Sequence, residues 1–260
     1  MPPRFRTRRT NAPSRYPPSE SSDWRTGGGL THALAMTPRV KICCIGSVEE
    51  AQLAIRHGAA ALGLVSKTPG GPGAISDSLI AEIADSVPPP VATFLLTSLQ
   101  SVEAIVAQQR RCRTNTVQLC DRLLHGSYAE LRLALPGIGL VQLVQMTDEA
   151  SISEALGVAI HVDALLLDSG NPAPAVKGVA GTGSTHNWRM SQRIAARSLK
   201  PVFLAGGLRE ENVAQAIGEV APFGLDVSTG VRTAGRLDEA KLRGFFAAVT
   251  ADLAAEARRL

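Results

Sequence analysis

The stretch that decides the fold is VKICCIGSVEEAQLAIRHGAAALGLV, residues 40–65. An apolar run at 40–45 is followed by an amphipathic helical pattern and then by a second apolar run. Ser47 is the predicted N-cap of this helix, with Glu50 three residues on and Gly58 at the C′ position. A strand, a helix and a second strand in this order are typical of a βαβ unit with parallel strands.

The same alternation continues to the end of the chain. The strand candidates are VKICCI (40–45), ALGLV (61–65), VATFLL (91–96), TVQLC (116–120), GLVQLVQM (139–146), DALLLDS (163–169), PVFLAG (201–206) and FGLDVS (223–228). Near-continuous Val, Ile and Leu strands indicate a parallel sheet covered by helices, and eight strand–helix units close into a barrel. We therefore predict an α/β fold, a (β/α)8 TIM barrel. A doubly wound open sheet is the alternative, although no Gly-rich dinucleotide fingerprint follows the first strand.

Composition indicates one domain behind a basic extension. The chain has 260 residues, of which 45% are hydrophobic and 19% charged, enough for one large core. Residues 1–36 are rich in Arg, Pro, Ser and Gly, so we predict a disordered extension there and the barrel over 37–260. This extension fits a targeting peptide, or a start assigned upstream of the true one at Met36. It also carries the whole net charge of +4, which excludes a broad nucleic-acid surface on the barrel.

Cysteine usage indicates a reducing compartment. The four cysteines have no metal-ligand spacing, and the vicinal pair Cys43 and Cys44 is poorly placed for an ordinary disulfide. We expect reduced thiols, a cytoplasmic protein and no bound metal. No apolar run approaches the ~18 residues that a membrane span requires. The sequence leaves open whether the protein is a monomer or a homodimer.

Position along a strand then selects candidate catalytic residues, because the reacting groups of such barrels lie at the C-terminal ends of strands. Alternation places Lys41 and Cys43 on one face of the first strand and Cys44 on the other. A lysine is seldom buried without a partner, so we expect Lys41 and Cys43 to face the barrel mouth and Cys44 to pack against helices. The adjacent ammonium would favour the thiolate of Cys43. The alternative is that each cysteine simply packs as a small apolar residue.

The sixth strand candidate ends in a carboxylate, Asp168. This side chain either caps the following turn or serves as a general acid whose proton is held more tightly by partial burial. Cys43 and Asp168 would lie on opposite sides of the barrel mouth. A substrate between them would lose a proton to one residue and receive a proton from the other, which favours an isomerisation.

Glycine-rich turns follow the last three strand candidates. GTGSTHNW begins at Gly181, LAGGLREEN contains Gly206 and Gly207, and DVSTGVR contains Ser228 and Thr229. Each turn alone is weak evidence, since most such turns are only turns. Together they predict a phosphate site, because glycines let the backbone approach an anion and barrels bind phosphate after strands seven and eight.

These segments, in this order, resemble the phosphoribosylanthranilate isomerase family of tryptophan biosynthesis over residues 40–249. The resemblance implies an aldose–ketose isomerase that performs an Amadori rearrangement of N-(5′-phosphoribosyl)anthranilate without a cofactor. It assigns the general base to Cys43 and the general acid to Asp168. The substrate-binding positions it implies are Lys41, Gln118 and Asp226, and its phosphate-binding backbone falls on Gly183, Gly206, Gly207, Ser228 and Thr229.

The chain departs from the family pattern at three places. Cys44 stands where glycine is usual, and Gly73 stands where an arginine is expected to hold the anthranilate carboxylate. Lys67 is a nearby substitute, although a lysine does not reproduce bidentate pairing. The fourth strand continues into Cys120 instead of histidine. Two alternatives therefore stay open: an isomerase of a different phosphorylated sugar amine, and a non-catalytic barrel that binds a sugar phosphate.

Overall fold

The computed structural model describes residues 37–67, 73–168 and 188–256, with side chains up to residue 251. The eight main strands are β1 (Arg39–Ile42), β2 (Ala61–Val65), β3 (Ala92–Thr97), β4 (Thr116–Leu119), β5 (Gly139–Gln145), β6 (Ala164–Asp168), β7 (Val202–Leu204) and β8 (Gly224–Val227). The helices are α1 (Val48–Arg56), α2 (Asp77–Ser86), α3 (Val102–Cys112), α4 (Tyr128–Ala134), α5 (Ala150–Ala159), α6 (Trp188–Arg197), α7 (Glu210–Val220) and α8 (Glu239–Glu256). A 3-10 turn (Thr229–Val231) and a short antiparallel pair, β9 (Arg232–Thr233) and β10 (Arg236–Leu237), separate β8 from α8.

The strands pair in chain order and β8 closes on β1, all in parallel. The predicted (β/α)8 barrel is confirmed. The alternative of an open sheet is wrong, because β1 and β8, which would be its edge strands, pair with each other. None of the described helices is long and apolar enough to cross a bilayer. The predicted extension at 1–36 lies outside the described residues, so the boundary at residue 37 stays a prediction.

Helix α1 begins and ends where the sequence predicts. Ser47 caps it by accepting a hydrogen bond from the Glu50 amide at 3.2 Å, and Gly58 follows with φ +101°. Glu50 does not complete a capping box, because its carboxylate accepts from the Gly46 amide instead of from Ser47. The full reciprocal box forms at α4, between Ser127 and Glu130.

Two apolar layers position the site. The larger lies between the strands and the helices, and a smaller interior cluster fills the barrel with side chains such as Phe94, Leu143, Leu166 and Phe203. Strand alternation sends every second residue inward, so polar residues in the inward positions must lie in this apolar interior. Polar groups in such surroundings need partners, or a ligand that supplies them.

Candidate active site

A buried ion pair lies in the barrel interior where β1 meets β8. Lys41 and Asp226 are register partners, and Lys41 Nζ lies 2.9 Å from Asp226 Oδ1 with the lysine fully buried. The ammonium also lies 5.2 Å from the centre of the Phe94 ring. Burial alone would lower the pKa of Lys41, but the carboxylate of Asp226 and the neighbouring thiols outweigh it and raise the pKa above its usual range. Lys41 is therefore a permanent cation in this interior.

Cys43 is the next inward residue of the same chain segment. Its Sγ lies 3.7 Å from Lys41 Nζ, and only 1% of the residue is exposed. Gly63 on β2 leaves the room for it, since a Cβ at position 63 would lie 2.9 Å from this sulfur. The pKa of Cys43 is raised well above that of a free thiol by its hydrogen bond with Cys44, by burial and by the charge of Asp226. Lys41 does favour the thiolate as predicted, but the other three effects are larger.

Cys44 does not pack against the helices, so that prediction is wrong. β1 ends at Ile42, and Cys44 has φ +61°, which turns its side chain into the interior cluster beside Cys43. The two sulfurs lie 3.9 Å apart. The hydrogen bond with Cys43 is the main cause that lowers the pKa of Cys44 to about 7, against burial and with help from the Ser228 hydroxyl and the Arg232 cation.

An arginine that is not predicted from the sequence holds the backbone of both cysteines. Arg232 Nη2 donates to the carbonyl oxygens of Cys43 at 3.2 Å and Cys44 at 2.6 Å. Its Nη1 donates to Glu50 at 3.0 Å, and the Glu50 carboxylate also accepts from the Leu237 amide. The only sequence signal was the position of Arg232 just after the STG turn that follows β8. This Arg232–Glu50 pair fixes the chain at the point where it leaves β1.

Asp168 is the last residue of β6 and is fully buried. Its register partner is Gln145 at the end of β5, so both lie in inward positions at the C-terminal end of the barrel. Gln118 on β4 is also fully buried. Within the described residues, neither Gln118 Oε1 nor Gln145 Oε1 has a hydrogen-bond donor. These two amide oxygens are therefore available as acceptors for a ligand, and alternation along β5 is the signal that would have identified Gln145.

A cavity of about 280 Å³ opens between the turns after β7 and β8. Its wall includes Gly207, Arg209, Thr229, Gly230 and Lys241. Helix α7 begins at Glu210, so its amino-terminal amides lie at this cavity. A smaller adjoining pocket is lined by Gly206, Gly207, Asp226, Val227, Ser228 and Thr229, among others. The four described members of the predicted phosphate set therefore lie together.

Gly206 and Gly207 both have positive φ, at +93° and +64°, which is why glycine occupies this turn. The smaller pocket extends the cavity towards Asp226, and so towards the buried ion pair. The remaining predicted members, Gly181 and Gly183, lie outside the described residues.

The segment after β2 carries the departures from the family pattern. Lys67 is exposed just beyond β2. Gly73 has φ +75°, and a Cβ at this position would lie 2.8 Å from the Cβ of Cys44. Cys120 lies in the interior cluster, where burial raises its pKa to about 12. Position 73 therefore has no room for the expected arginine while Cys44 keeps this conformation.

Comparison with known proteins agrees with this geometry. The family model of N-(5′-phosphoribosyl)anthranilate (PRA) isomerase matches residues 40–248. The curated N-(5′-phosphoribosyl)anthranilate isomerase of Geotalea uraniireducens is 36% identical over 210 residues, which are 80% of this chain and 96% of the relative. The crystal structure of phosphoribosyl anthranilate isomerase from Thermotoga maritima has a TM-score of 0.69 and 28% identity, covering 82% of this chain and 99% of that chain. A crystal structure of such an isomerase in complex with reduced 1-(o-carboxyphenylamino)-1-deoxyribulose 5-phosphate has a TM-score of 0.66 and 27% identity, with the same coverage.

Proposed function

Because this chain belongs to the N-(5′-phosphoribosyl)anthranilate isomerase family, we propose that it converts N-(5′-phosphoribosyl)anthranilate into the corresponding 1-amino-1-deoxyribulose phosphate by an Amadori rearrangement. The family predicted from the sequence is confirmed. The enzyme is an aldose–ketose isomerase in this proposal. We place it in the cytoplasm, as a monomer or a homodimer.

The strand order is the observation that carries the proposal. In the closed barrel, β7 and β8 lie between β6, which ends in Asp168, and β1, which leads into Cys43. A sugar phosphate anchored in the cavity between the β7 and β8 turns therefore extends into the space flanked by both groups. A ligand held in this way meets an acid on one side and a base on the other, which is the requirement of an isomerisation.

In this proposal the reaction opens the ribose ring and then moves protons between the substrate, Asp168 and Cys43. Asp168 in its protonated form gives its proton to the ring oxygen of the ribose, so that the bond between this oxygen and C1 breaks and an iminium forms between C1 and the aglycone nitrogen. Cys43 as a thiolate removes the proton from C2, and the electron pair moves through C1 to the nitrogen. The resulting enolamine becomes the ketone when C1 gains the proton that Cys43 holds and the C2 hydroxyl gives its proton back to the Asp168 carboxylate. No atom is gained or lost overall, and both side chains return to their starting states.

The polar residues around the base have distinct roles in this proposal. Lys41 stabilises the negative charge of the thiolate, and Asp226 keeps that ammonium in place and protonated. Gln118 accepts a hydrogen bond from a sugar hydroxyl through its amide oxygen, which has no donor among the described residues. Gly206, Gly207, Ser228 and Thr229 bind the phosphate through the turns at the cavity, together with Gly181 and Gly183, and Lys67 faces the aglycone.

The test is rescue of a tryptophan auxotroph that lacks this isomerase, with purified enzyme assayed in parallel. We expect rescue by the wild type and none by Cys43→Ser or Asp168→Asn, which keep the shape of each side chain but remove the base or the acid. A matched control is Cys112→Ser, because Cys112 is a buried thiol on α3 that belongs to the apolar layer between the strands and the helices. Rescue by either active-site variant would contradict the assigned roles, and a soluble wild type without activity would contradict the function.

The contact between positions 44 and 73 supports a second candidate, the same isomerisation with a different aglycone. The carboxylate of anthranilate has no arginine at position 73, and the side chain of Cys44 fills the adjacent space. The N-(5′-phosphoribosyl) derivative of aniline, which lacks the carboxylate, separates the two candidates. A much higher kcat/KM for the anthranilate compound supports the first candidate, and equal values favour the second.

A further inference from the structure

The second thiol, Cys44, has no role in the mechanism above. Its sulfur lies 3.9 Å from that of Cys43, and both residues are buried. The side chain reaches this place only because the backbone adopts φ +61°, a conformation that residues with a Cβ seldom adopt and that persists where the surroundings impose it. Here the surroundings are Arg232, which binds the carbonyl oxygens of both cysteines, and Gly73, which leaves space for the Cβ of Cys44.

We propose that Cys43 and Cys44 share one proton, so that Cys44 tunes the basicity of Cys43 through the contact between the two sulfurs. This inference rests on the proposed function, in which Cys43 is the base. In the resting enzyme one sulfur carries a proton and hydrogen-bonds the other, and the pair has a single negative charge. When Cys43 takes the proton from C2, both sulfurs are protonated. Cys43 then gives this proton to C1, while the proton lost by the C2 hydroxyl replaces the one that Asp168 donates, so the pair returns to its one-proton state within each turnover.

The charges around the pair favour one negative charge and oppose two. Lys41 lies at the Cys43 sulfur, while Arg232 and the Ser228 hydroxyl act on Cys44. Asp226 repels a thiolate at either position. Among the residues that the structure describes, the other titratable groups around this end of the barrel are Glu50, which is paired with Arg232, Cys120 in the interior cluster, and Asp168 at the end of β6.

The pKa values follow this arrangement, because that of Cys44 is lowered to about 7 and that of Cys43 is raised well above the ordinary value. A pair that loses its first proton easily and its second with difficulty is the expected behaviour of two strongly interacting sites.

The proposal is tested on the substrate-free protein by following the ultraviolet absorbance of thiolate against pH. We expect one thiolate with a midpoint near 7 in the wild type. Both Cys44→Ala and Cys43→Ala should move this midpoint upwards by about one pH unit or more, because each removes the partner that stabilises the remaining thiolate. Cys44→Ala keeps the Cβ that contacts Gly73, so it removes little besides the sulfur. Cys112→Ala is the matched control, since burial raises the pKa of Cys112 to about 12 and its loss should leave the midpoint unchanged.

An unchanged midpoint in Cys43→Ala would assign the charge to Cys44 alone, and an unchanged midpoint in Cys44→Ala would assign it to Cys43 alone. Either result overturns the shared proton, as does a wild type without a thiolate below the ordinary thiol pKa of 9.0. Cys44→Gly gives an independent variant that relieves the backbone, and it should behave as Cys44→Ala does.

In the active enzyme, the acid limb of kcat/KM should move to higher pH in Cys44→Ala, which a purely structural role would not cause. Because the titration needs no substrate, a wild type that titrates as expected but lacks isomerase activity would refute the proposed function alone.

Discussion

Gly63→Ala is a sharp test of whether the position of the Cys43 thiol controls the reaction. A Cβ at position 63 would lie 2.9 Å from Cys43 Sγ, 3.1 Å from Cys43 Cα and 3.1 Å from Lys41 Nζ. Nonbonded carbon atoms prefer about 3.5–4.0 Å, so the thiol would have to retreat by about 0.6 Å or more. Rotation of the side chain cannot relieve the contact with Cys43 Cα, because that atom belongs to the backbone, so β1 and β2 would also separate slightly.

Two free energies set the expected outcome. Overpacking should lower the free energy of unfolding by about 1–3 kcal/mol. Replacing glycine by alanine raises it by about 0.4–1 kcal/mol, because the unfolded chain has fewer conformations, so the variant should still fold with a modest loss of stability. A displacement approaching 1 Å costs about 100-fold in rate, equivalent to about 2.7 kcal/mol of activation free energy. KM should change little, because the proposed phosphate cavity lies at the β7 and β8 turns.

The assay is steady-state kinetics together with urea unfolding. Gly157→Ala is the matched control, because a Cβ at this exposed helical position would meet no atom within 4 Å. It should raise the free energy of unfolding by about 0.5–1 kcal/mol and leave kcat unchanged. If Gly63→Ala folds and keeps kcat within about twofold of the wild type, the thiol does not need its present position and the reasoning from Gly63 fails.

Three further predictions concern the residues that support the site. Asp226→Asn should lower the free energy of unfolding in urea by about 3–5 kcal/mol, because it leaves Lys41 buried without its counter-charge. Asp85 forms a half-exposed pair with Arg113, so Asp85→Asn should lower the free energy of unfolding by less than about 1 kcal/mol. Equal losses in the two variants would contradict the burial argument. Burial opposes ionisation of Glu50, but hydrogen bonds from Arg232, the Leu237 amide and the Gly46 amide lower its pKa below 4.5. The contribution of Glu50 to the free energy of unfolding is therefore complete above its pKa in the unfolded chain and disappears as the pH falls through its pKa in the folded protein. Thermal melts of wild type and Glu50→Gln should differ at pH 7 and converge in acid, and a constant difference would exclude this linkage. Arg232→Lys should lower the free energy of unfolding by about 1.5–3 kcal/mol and should also lower kcat, because an ammonium cannot reproduce the planar guanidinium that joins two carbonyl oxygens to Glu50. A folded variant with the kcat of the wild type would show that these carbonyl contacts do not position Cys43.

The barrel was predictable because its signals are local and repeated. Each apolar run is long enough to identify a strand. Alternation correctly predicted that Lys41 faces inward, and Cys43, the first residue after β1, still follows that alternation. The cap of α1 was also predictable, since Ser47 and Gly58 act through their own backbone neighbours. The contact between the phosphate turns followed from strand order alone, because β7 and β8 are adjacent in any barrel of this kind.

The side of the chain on which Cys44 lies was not predictable from alternation. The rule holds only while the backbone stays extended, and β1 ends at Ile42, before the vicinal cysteines. The conformation of Cys44 depends on Arg232, which follows it by 188 residues, and this separation leaves no local trace in the sequence. Likewise the position of Glu50 three residues after the cap did not reveal that its carboxylate accepts from the distant Arg232 guanidinium and from the Leu237 amide.

Cys44 and Gly73, which are two separate departures in the sequence, form one steric unit in the structure. The Cβ of Cys44 occupies the space next to position 73, and a Cβ at position 73 would lie only 2.8 Å from it. Both residues also have positive φ, a backbone conformation that glycine adopts freely. A residue with a Cβ, such as Cys44, keeps this conformation only where its surroundings impose it. A side chain at 44 thus requires none at 73, and the arginine expected there is excluded by the same change that brings the second sulfur to Cys43. The basicity of the proposed base and the recognition of the aglycone therefore depend on one contact, which is why replacement of Cys44 should affect both the pH profile and the preference for a carboxylate on the substrate.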